Sequence, residues 1–226
     1  RDTFDYDLNE SLRASKALMT NFGLDSHTAM NYIAEGAQKG LDYSGELLDT
    51  ISEYSVQFAK VGMDADDMFN IMQAGAENGA WNLDKVGDAI KEFSIRSIDG
   101  SKTTQEAFAA LGYDADEVMG IFAKGGEDAN IAFNTILQDL ISMDDEVARD
   151  AVGVQLFGTM WEDLGVDAMA ALSEVTDGTY LAGDALNEIN AVKYDTVGQA
   201  LQGISRQLEV QLAPAGSAAA QRLAEM

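Results

Sequence analysis

The chain has 226 residues, of which 14 are Lys or Arg and 39 are Asp or Glu, so its formal net charge is 14 − 39 = −25. This charge disfavours nucleic-acid binding, because a phosphate backbone requires a basic surface. The sequence has no Cys, which excludes disulfides and Cys-ligated zinc, and its single His, His27, excludes metal sites built on two histidines. Apolar residues make up 46% of the chain, enough for a packed core in one large domain or two small ones.

No segment has the pattern of a membrane span or a signal peptide. The uncharged stretch 151–161, which contains strong hydrophobes, is about half of the roughly 20 residues that a spanning helix needs. The first residues are charged, unlike a secretory signal. Because the sequence starts with Arg1 rather than Met, we expect it to be a piece of a longer protein.

Apolar residues recur at helical spacing along the chain, and period-2 alternation is never sustained. The chain has one Pro, Pro214, and its 21 Gly mostly lie singly between apolar stripes, as helix terminators do. These features predict an all-α protein of short helices. The stripes are Leu47, Leu48, Ile51, Tyr54 and Phe58, then Leu83, Val86, Ile90 and Phe93, then Phe133, Ile136, Leu137, Leu140 and Ile141.

A Gly- and Asp-containing pattern recurs along the chain. It occupies residues 22–36, 61–75 and 111–125, and a degenerate copy runs over 164–178. Because the offsets between copies vary, we interpret the unit as a helical hairpin with inserts of different length. The sequence therefore predicts glycine-punctuated helical hairpins in three to four degenerate repeats.

Each repeat contains the signals that end one helix and start the next. A glycine that tolerates positive φ ends the first helix, at Gly23, Gly62 or Gly112. An aspartate two residues later is placed to cap the next helix, at Asp25, Asp64 or Asp114. An acid at the third helical position, Asp67 or Glu117, completes a capping box in two copies. The new helices are predicted to end at Gly36, Gly75 and Gly125, and Thr103 with Glu106 predicts one more capping box.

Acidic clusters at residues 64–67 and 114–117 invite a calcium interpretation. A calcium loop of the EF-hand type needs alternating oxygen ligands, Gly at its sixth position and Glu at its twelfth. Here the alternation ends at once in core-type residues, Met68-Phe69 and Val118-Met119. Helix capping explains both clusters better, and residues 144–146 are interpreted in the same way as a solvated helix start.

The sequence gives no better evidence for a catalytic site than for a calcium site. His27 aligns with Asp66 and Asp116 in the other copies, so it is predicted to be an exposed first-turn residue rather than a base. The Gly125-Gly126 pair and the Gly75…Gly79 spacing lack the Lys-Ser/Thr of a phosphate loop. With 39 acids a carboxylate pair for glycoside cleavage stays open, but none lies in an apolar setting. We predict no catalytic, cofactor-binding or metal-ligating residue, and no cofactor.

The large side chains and the C-terminal region complete the predictions from residues alone. Trp81 and Trp161 are predicted core anchors, and the ten Met are adaptable packing or a surface for a partner helix. From Ala191 onward the spacing is that of a longer amphipathic helix. We therefore divide the chain into a helical-repeat module, 1–190, and the start of an extended helix leading to the rest of a longer chain, 191–226. The apolar positions of that helix are Val197, Leu201, Ile204, Leu208 and Leu212.

Four stretches go beyond generic helices: residues 47–58, 68–79, 86–104 and 156–165. In this order and at this spacing they resemble segments of phage tail tape measure proteins, the minor tail protein family of long-tailed phages. The resemblance covers roughly residues 20–215.

The resemblance implies a structural protein of the virion tail, assembled in the host cytoplasm, and not an enzyme. Tape measure proteins lie inside the growing tail tube, set tail length and leave ahead of the DNA during ejection. The implied partners are the tail tube protein, tail assembly chaperones, tail-tip or baseplate proteins and further copies of the chain, without direct nucleic-acid binding. Since this sequence lacks an apolar span, a hydrolase motif and sustained heptads, it would be an internal helical module of such a protein.

Two alternatives remain open at this stage. A stand-alone all-α repeat module could present a concave surface to a protein partner. An acid-dependent hydrolase is a further possibility, which zymography on cell-wall material would test.

Overall fold

The structure is a computed structural model and describes residues 6–173. This part of the chain is all helical, with ten helices and no strand, as the apolar spacing predicts. In chain order the helices are α1 (Leu8–Phe22), α2 (Ser26–Gln38), α3 (Leu47–Lys60), α4 (Ala65–Glu77), α5 (Leu83–Arg96), α6 (Lys102–Ala110), α7 (Ala115–Lys124), α8 (Glu127–Ile141), α9 (Glu146–Phe157) and α10 (Met160–Ser173).

Helices α1, α3 and α5 lie side by side and run in the same direction. Arg13 of α1 is 3.8 Å from Asp49 of α3, and further along both helices the Asn21 amide donates to the Ser55 hydroxyl at 2.8 Å. Between α3 and α5, Tyr54 donates to Asp88 at 2.9 Å, and Ser94 donates to Gln57 at 2.9 Å. The contact points advance together along the paired helices, which is the signature of parallel neighbours.

Helices α2 and α4 are the return helices between these parallel neighbours. The Tyr32 hydroxyl of α2 donates to Asp66 of α4 at 2.6 Å, and its ring lies 5.1 Å from that of Phe69. This hydrogen bond joins residues 34 positions apart, as do the Asn21–Ser55 and Tyr54–Asp88 bonds. Hydrogen bonds between every second helix therefore hold the first half of the described chain together.

The second half packs around an aromatic cluster centred on Phe93 of α5. Its ring lies 5.0 Å from Phe122 of α7, 5.0 Å from Phe133 of α8 and 5.2 Å from Phe157 of α9. Trp161 of α10 extends the cluster, 6.2 Å from Phe157. Aromatic contacts of this kind add stabilisation beyond the area they bury, so α5 links the two halves.

The predicted apolar stripes are confirmed as the core-facing sides of α3, α5 and α8. Every member is buried except Ile141, which is partly exposed at the end of α8. Each stripe thus predicted the buried side of its helix.

The predicted helix starts agree well with the structure. Asp25, Asp64 and Asp114 are confirmed as N-caps of α2, α4 and α7, and Asp145, in the helix start predicted at 144–146, caps α9. The capping box predicted with Asp67 is confirmed, but the one predicted with Glu117 is wrong, because in α7 only the Asp114 side chain makes its half of the box. The cap predicted at Thr103 is wrong. The Ser101 hydroxyl accepts the Thr104 backbone N–H at 3.2 Å, so α6 begins two residues earlier.

The predicted helix ends are only partly right. Gly23, Gly62, Gly112 and Gly125 follow helices and have φ of 72°, 83°, 87° and 67°. The ends predicted at Gly36 and Gly75 are wrong, because α2 and α4 continue through them to Gln38 and Glu77. Gly75 is required by packing instead, since a Cβ there would lie 2.5 Å from Cγ2 of Val86.

The two tryptophans differ. Trp161 is only 2% exposed, as predicted for a core anchor, and its indole N–H donates to Asp150 at 3.1 Å. The prediction for Trp81 is wrong, because this side chain is 64% exposed in the loop before α5. The buried apolar residues beside it are Ala80 and Leu83.

Part of the predicted organisation lies outside the described residues. Three predictions fall there and stay predictions: the helix from Ala191 to Pro214, the domain boundary at residue 190, and the end of the fourth copy at Gly178. The start of the fourth copy does lie in the described part, where Gly165 interrupts α10 with φ of 77°.

Candidate functional site

The acidic clusters cap helices. Asp64 accepts the Asp67 backbone N–H at 2.9 Å, and Asp67 accepts the Asp64 backbone N–H at 3.1 Å, which forms a capping box. Asp114 accepts the backbone N–H of Glu117 at 2.9 Å. These carboxylates satisfy backbone donors that a helix start leaves unpaired. Within residues 6–173 no group of three or more His, Asp or Glu is arranged to hold a metal ion.

His27 lies on the first turn of α2 and is exposed, as predicted. Its Nδ1 is 3.2 Å from the Asn31 side-chain nitrogen. The neighbouring cap residue Asp25 accepts N–H groups from Thr28 and His27 and the Thr28 hydroxyl. These hydrogen bonds lower the pKa of Asp25, and the one from the Thr28 backbone N–H contributes most. The surroundings of His27 are those of a helix start.

The Gly125-Gly126 pair packs against another loop. A Cβ built on Gly62 would lie 1.9 Å from the Gly126 carbonyl oxygen, so the two backbones are in direct contact. Beside this contact is an open cavity of about 410 Å³ that includes Lys60 and Lys124 in its lining. The glycine pair therefore allows two loops to approach closely.

A larger cleft, of about 520 Å³, lies between the N-terminal parts of α1, α3 and α5. Its lining is acidic, with Glu46, Asp49, Glu53 and Asp84, and Arg13 on one side. Burial raises the pKa of Asp84, and the nearby carboxylates of Asp88, Glu46 and Glu53 raise it further. The cleft is thus a region of concentrated negative charge.

Exposed aromatic side chains lie at the edge where the parallel helices begin. The Tyr43 hydroxyl, in the loop before α3, donates to the Ala80 carbonyl at 2.8 Å, in the loop before α5. Trp81 follows directly, with the ammonium of Lys85 5.6 Å from its ring centre. Tyr43 is 46% exposed and Trp81 64%. Exposed Tyr and Trp are enriched at protein interfaces.

A second exposed apolar surface lies on α1. Leu8, Leu12 and Met19 are 55%, 57% and 38% exposed and share one side of the helix. We call these three residues the α1 face. Neither this face nor the aromatic edge was predicted from the sequence. The helical spacing of these three apolar residues can be found in the sequence, but the sequence pattern of an exposed apolar stripe is the same as that of a buried one.

None of the helices that the structure describes is long and apolar enough to cross a membrane. The geometry of residues 6–173 thus consists of capped helices, an acidic cleft and two exposed apolar surfaces, a set of features suited to protein contacts.

Comparison with known proteins identifies the family. A profile described as "Phage-related minor tail protein" matches residues 2–158. The chain belongs to this family. The chain is also 33% identical, over 193 residues, to the probable tape measure protein of Streptomyces phage phiC31. That alignment covers 82% of this chain and 26% of the phage protein, so the chain spans about a quarter of its relative's length. No solved structure matches the chain.

The family resemblance derived from the sequence is therefore confirmed. This family is one of structural tail proteins, not of enzymes. The acidic cleft and the two exposed apolar surfaces are therefore considered as sites of contact with other proteins.

Proposed function

We propose that this minor tail protein is a structural segment of a tail tape measure protein. In this proposal it contributes to tail assembly and length determination inside the tail tube, and it is released during DNA ejection. The observation that carries the proposal is the similarity to the phiC31 probable tape measure protein across 82% of the chain.

The charge of the chain supports a position in the tube lumen. A protein that shares a narrow channel with DNA must not bind it, and a net charge of −25 repels phosphate at long range. The basic residues of the described part are engaged largely in ion pairs with acids, such as Lys85 with Asp163 at 2.8 Å and Arg96 with Glu92 at 2.9 Å. Such pairs leave little positive surface for DNA.

The architecture supports a function that includes a change of shape. We infer that α1–α2 and α3–α4 are successive hairpins of a degenerate repeat, because in both a positive-φ glycine, Gly23 or Gly62, ends the first helix and an Asp two residues later caps the second. In stacked repeats each unit contacts mainly its neighbours, so the array opens in small steps. Within residues 6–173 the buried apolar side chains form one cluster from Ala14 to Leu172, so such opening would have to separate helices that share a core.

The proposed partners follow from this position: the tail tube protein, tail assembly chaperones, tail-tip or baseplate proteins and further copies of the chain. The proposed location is the virion tail, after assembly in the host cytoplasm. An alternative is a stand-alone module that binds one protein partner, and the exposed Tyr43 and Trp81 favour it. The tape measure segment and the stand-alone module differ in where the protein is found at the end of assembly.

Quantitative mass spectrometry of purified tails tests the proposal. Tails are isolated from particles of the phage or prophage that encodes the chain, and its peptides are counted relative to tube subunits. We expect peptides from residues 6–173 in intact tails and their loss from particles that have ejected DNA. Peptides present in the lysate but absent from tails would contradict the proposal and favour the stand-alone module.

A further inference from the structure

A buried phenol lies between two carboxylates where α3 meets α5. Tyr54 of α3 is only 2% exposed, and its hydroxyl donates to Asp88 of α5 at 2.9 Å. The same hydroxyl also interacts with Asp84, which lies one turn earlier on α5. A phenol has a single proton to donate, so it donates fully to one carboxylate at a time. Because Asp88 accepts this proton, Asp84 is the carboxylate whose charge is less well satisfied.

The cations around Asp84 are directed to other acids. No Lys or Arg of residues 6–173 forms an ion pair with Asp84, because each nearby cation is paired elsewhere. The pairs are Lys85 with Asp163 at 2.8 Å, Lys91 with Glu53 at 3.3 Å and with Asp88 at 3.5 Å, and Arg13 with Asp49 at 3.8 Å. The ionised form of Asp84 therefore depends mainly on its position at a helix start and on Tyr54 for stabilisation.

Other carboxylates concentrate negative charge around Asp84. Glu46 of α3 lines the same cleft, and its Oε2 is buried without a hydrogen-bond partner among the described residues. Glu53 of α3 and Asp88 add two further charges nearby. Burial raises the pKa of Asp84 most, the hydrogen bond with Tyr54 lowers it, and these three carboxylates raise it again. A proton on Asp84 would relieve this crowding of charge.

We propose that Asp84 is a proton-operated switch of the contact between α3 and α5. When Asp84 is ionised, its charge repels Glu46 and Glu53 across the cleft and loosens the start of the contact. When Asp84 takes a proton from solvent, this repulsion ends, and its carboxyl O–H donates to the Tyr54 hydroxyl oxygen. Tyr54 continues to donate to Asp88, so a chain of two hydrogen bonds joins the helices, and such chains strengthen one another.

The direction of the pH effect follows from linkage. Since the pKa of Asp84 is higher in the folded chain, the folded chain binds this proton first as the pH falls. The contact should therefore strengthen on acidification from neutral pH, and the gain is complete below the pKa of the unfolded chain. Helix caps such as Asp25 act in the opposite direction, because its pKa is lowered. A local measurement is needed to separate the two, and the proposal does not depend on the proposed function.

Hydrogen–deuterium exchange of the full chain tests the proposal. Peptides from residues 47–58 and 83–94 are followed by mass spectrometry from pH 4.5 to 7, and their rates are corrected for the intrinsic pH dependence of exchange. We expect local opening of α3 and α5 to be at least about threefold rarer at pH 4.5 than at pH 7. Asp84→Asn has a neutral side chain that can donate to Tyr54, so it should show the rarer opening at both pH values.

Asp116→Asn is the matched control. Asp116 is also the second residue of its helix, α7, and it is exposed, so the variant removes the same charge from the same helical position. It should leave the pH dependence of α3 and α5 unchanged. Glu46→Gln removes one repelling charge and should move the transition to lower pH.

Three results would overturn the proposal. They are wild-type opening that does not change with pH, an unaltered pH profile in Asp84→Asn, and loss of the pH dependence in Asp116→Asn, which would assign it to net charge. None of these results bears on whether the chain is found in tails, so the two proposals fail independently.

Discussion

Gly62 and Gly126 lie in backbone contact, although 64 residues separate them in the chain. A Cβ on Gly62 would lie 1.9 Å from the Gly126 carbonyl oxygen and 3.0 Å from the Asn130 backbone nitrogen. The Asn130 side chain also donates to Asp67 at 2.8 Å, beside the same contact. The turn between α3 and α4 is thus fixed directly onto the start of α8.

Replacing Gly62 by Ala should therefore destabilise the fold strongly. Positive φ alone costs an Ala about 1–2 kcal/mol, and the clash with a backbone oxygen requires the two loops to separate. We expect a total loss of about 3 kcal/mol or more in the free energy of unfolding, measured by urea denaturation.

Gly23 is the matched control for this substitution. Its φ of 72° is similar to that of Gly62, but no atom lies within 4 Å of a Cβ built there. Gly23→Ala should cost only the conformational strain, about 1–2 kcal/mol. Equal losses for the two variants would show that the Gly62–Gly126 contact adds no constraint.

Two helical glycines should respond to Ala in opposite directions. A Cβ on Gly153 would lie 2.1 Å from Cδ2 of Trp161, so Gly153→Ala should cost about 1–3 kcal/mol through overpacking. Gly120 has nothing within 4 Å, so Gly120→Ala should stabilise α7 by about 0.5–1 kcal/mol. Thermal unfolding of both variants checks the prediction, and destabilisation by Gly120→Ala would contradict it.

The two tryptophans should report different environments. Trp81→Phe should change the free energy of unfolding by less than about 0.5 kcal/mol, since its side chain is 64% exposed. Trp161→Phe should cost about 1–3 kcal/mol, because it leaves a void in the core and removes the hydrogen bond to Asp150. Each variant keeps one tryptophan, whose fluorescence can be measured alone. Acrylamide should quench Trp81 strongly in the Trp161→Phe protein, and it should quench Trp161 only weakly in the Trp81→Phe protein. Similar quenching in both would contradict this assignment.

Buried phenols should make stability fall at alkaline pH. Burial raises the pKa of Tyr32 and Tyr54 above the ordinary value of 10, and hydrogen bonds to Asp66 and Asp88 raise it further. Above pH 10 the unfolded chain therefore loses these protons while the folded chain keeps them, so the unfolding free energy decreases as pH rises. The slope approaches about 1.4 kcal/mol per pH unit for each phenol.

The double variant Tyr32→Phe/Tyr54→Phe tests this explanation. It should lose about 1 kcal/mol per hydrogen bond at neutral pH but show a flatter decline above pH 10, in urea unfolding measured from pH 8 to 11.5. Curves that fall in parallel for variant and wild type would assign the alkaline loss to other groups.

The predictions that succeeded rest on local signals. The buried stripe of α3 and the caps at Asp64 and Asp114 depend on residues within one or two turns, so the sequence contains the information. The failures have more than one cause. The cap of α6 was placed two residues too late, at Thr103 instead of Ser101. The glycine at position 75 was taken for a helix end, whereas it lies inside α4 against Val86 of the next helix. Periodicity identifies the sides of a helix that are apolar, but only the number of packed neighbours decides which of them is buried.

The candidate surfaces show the same limit. The family resemblance was recognisable because motif order is a property of the sequence. The acidic cleft was not, since Glu46 and Asp84 come together only when α3 and α5 lie parallel. The α1 face was missed because exposure depends on the neighbouring helices, and within residues 6–173 helix α1 packs mainly against α2 and α3.

Tail length is the most direct measure of the central proposal. An in-frame deletion of this segment from its gene is compared with wild type by electron microscopy of assembled particles. If the segment contributes to length determination as extended helix, tails should shorten by about 1.5 Å per residue, about 340 Å for the whole segment. Tails of wild-type length and number would contradict the proposed function.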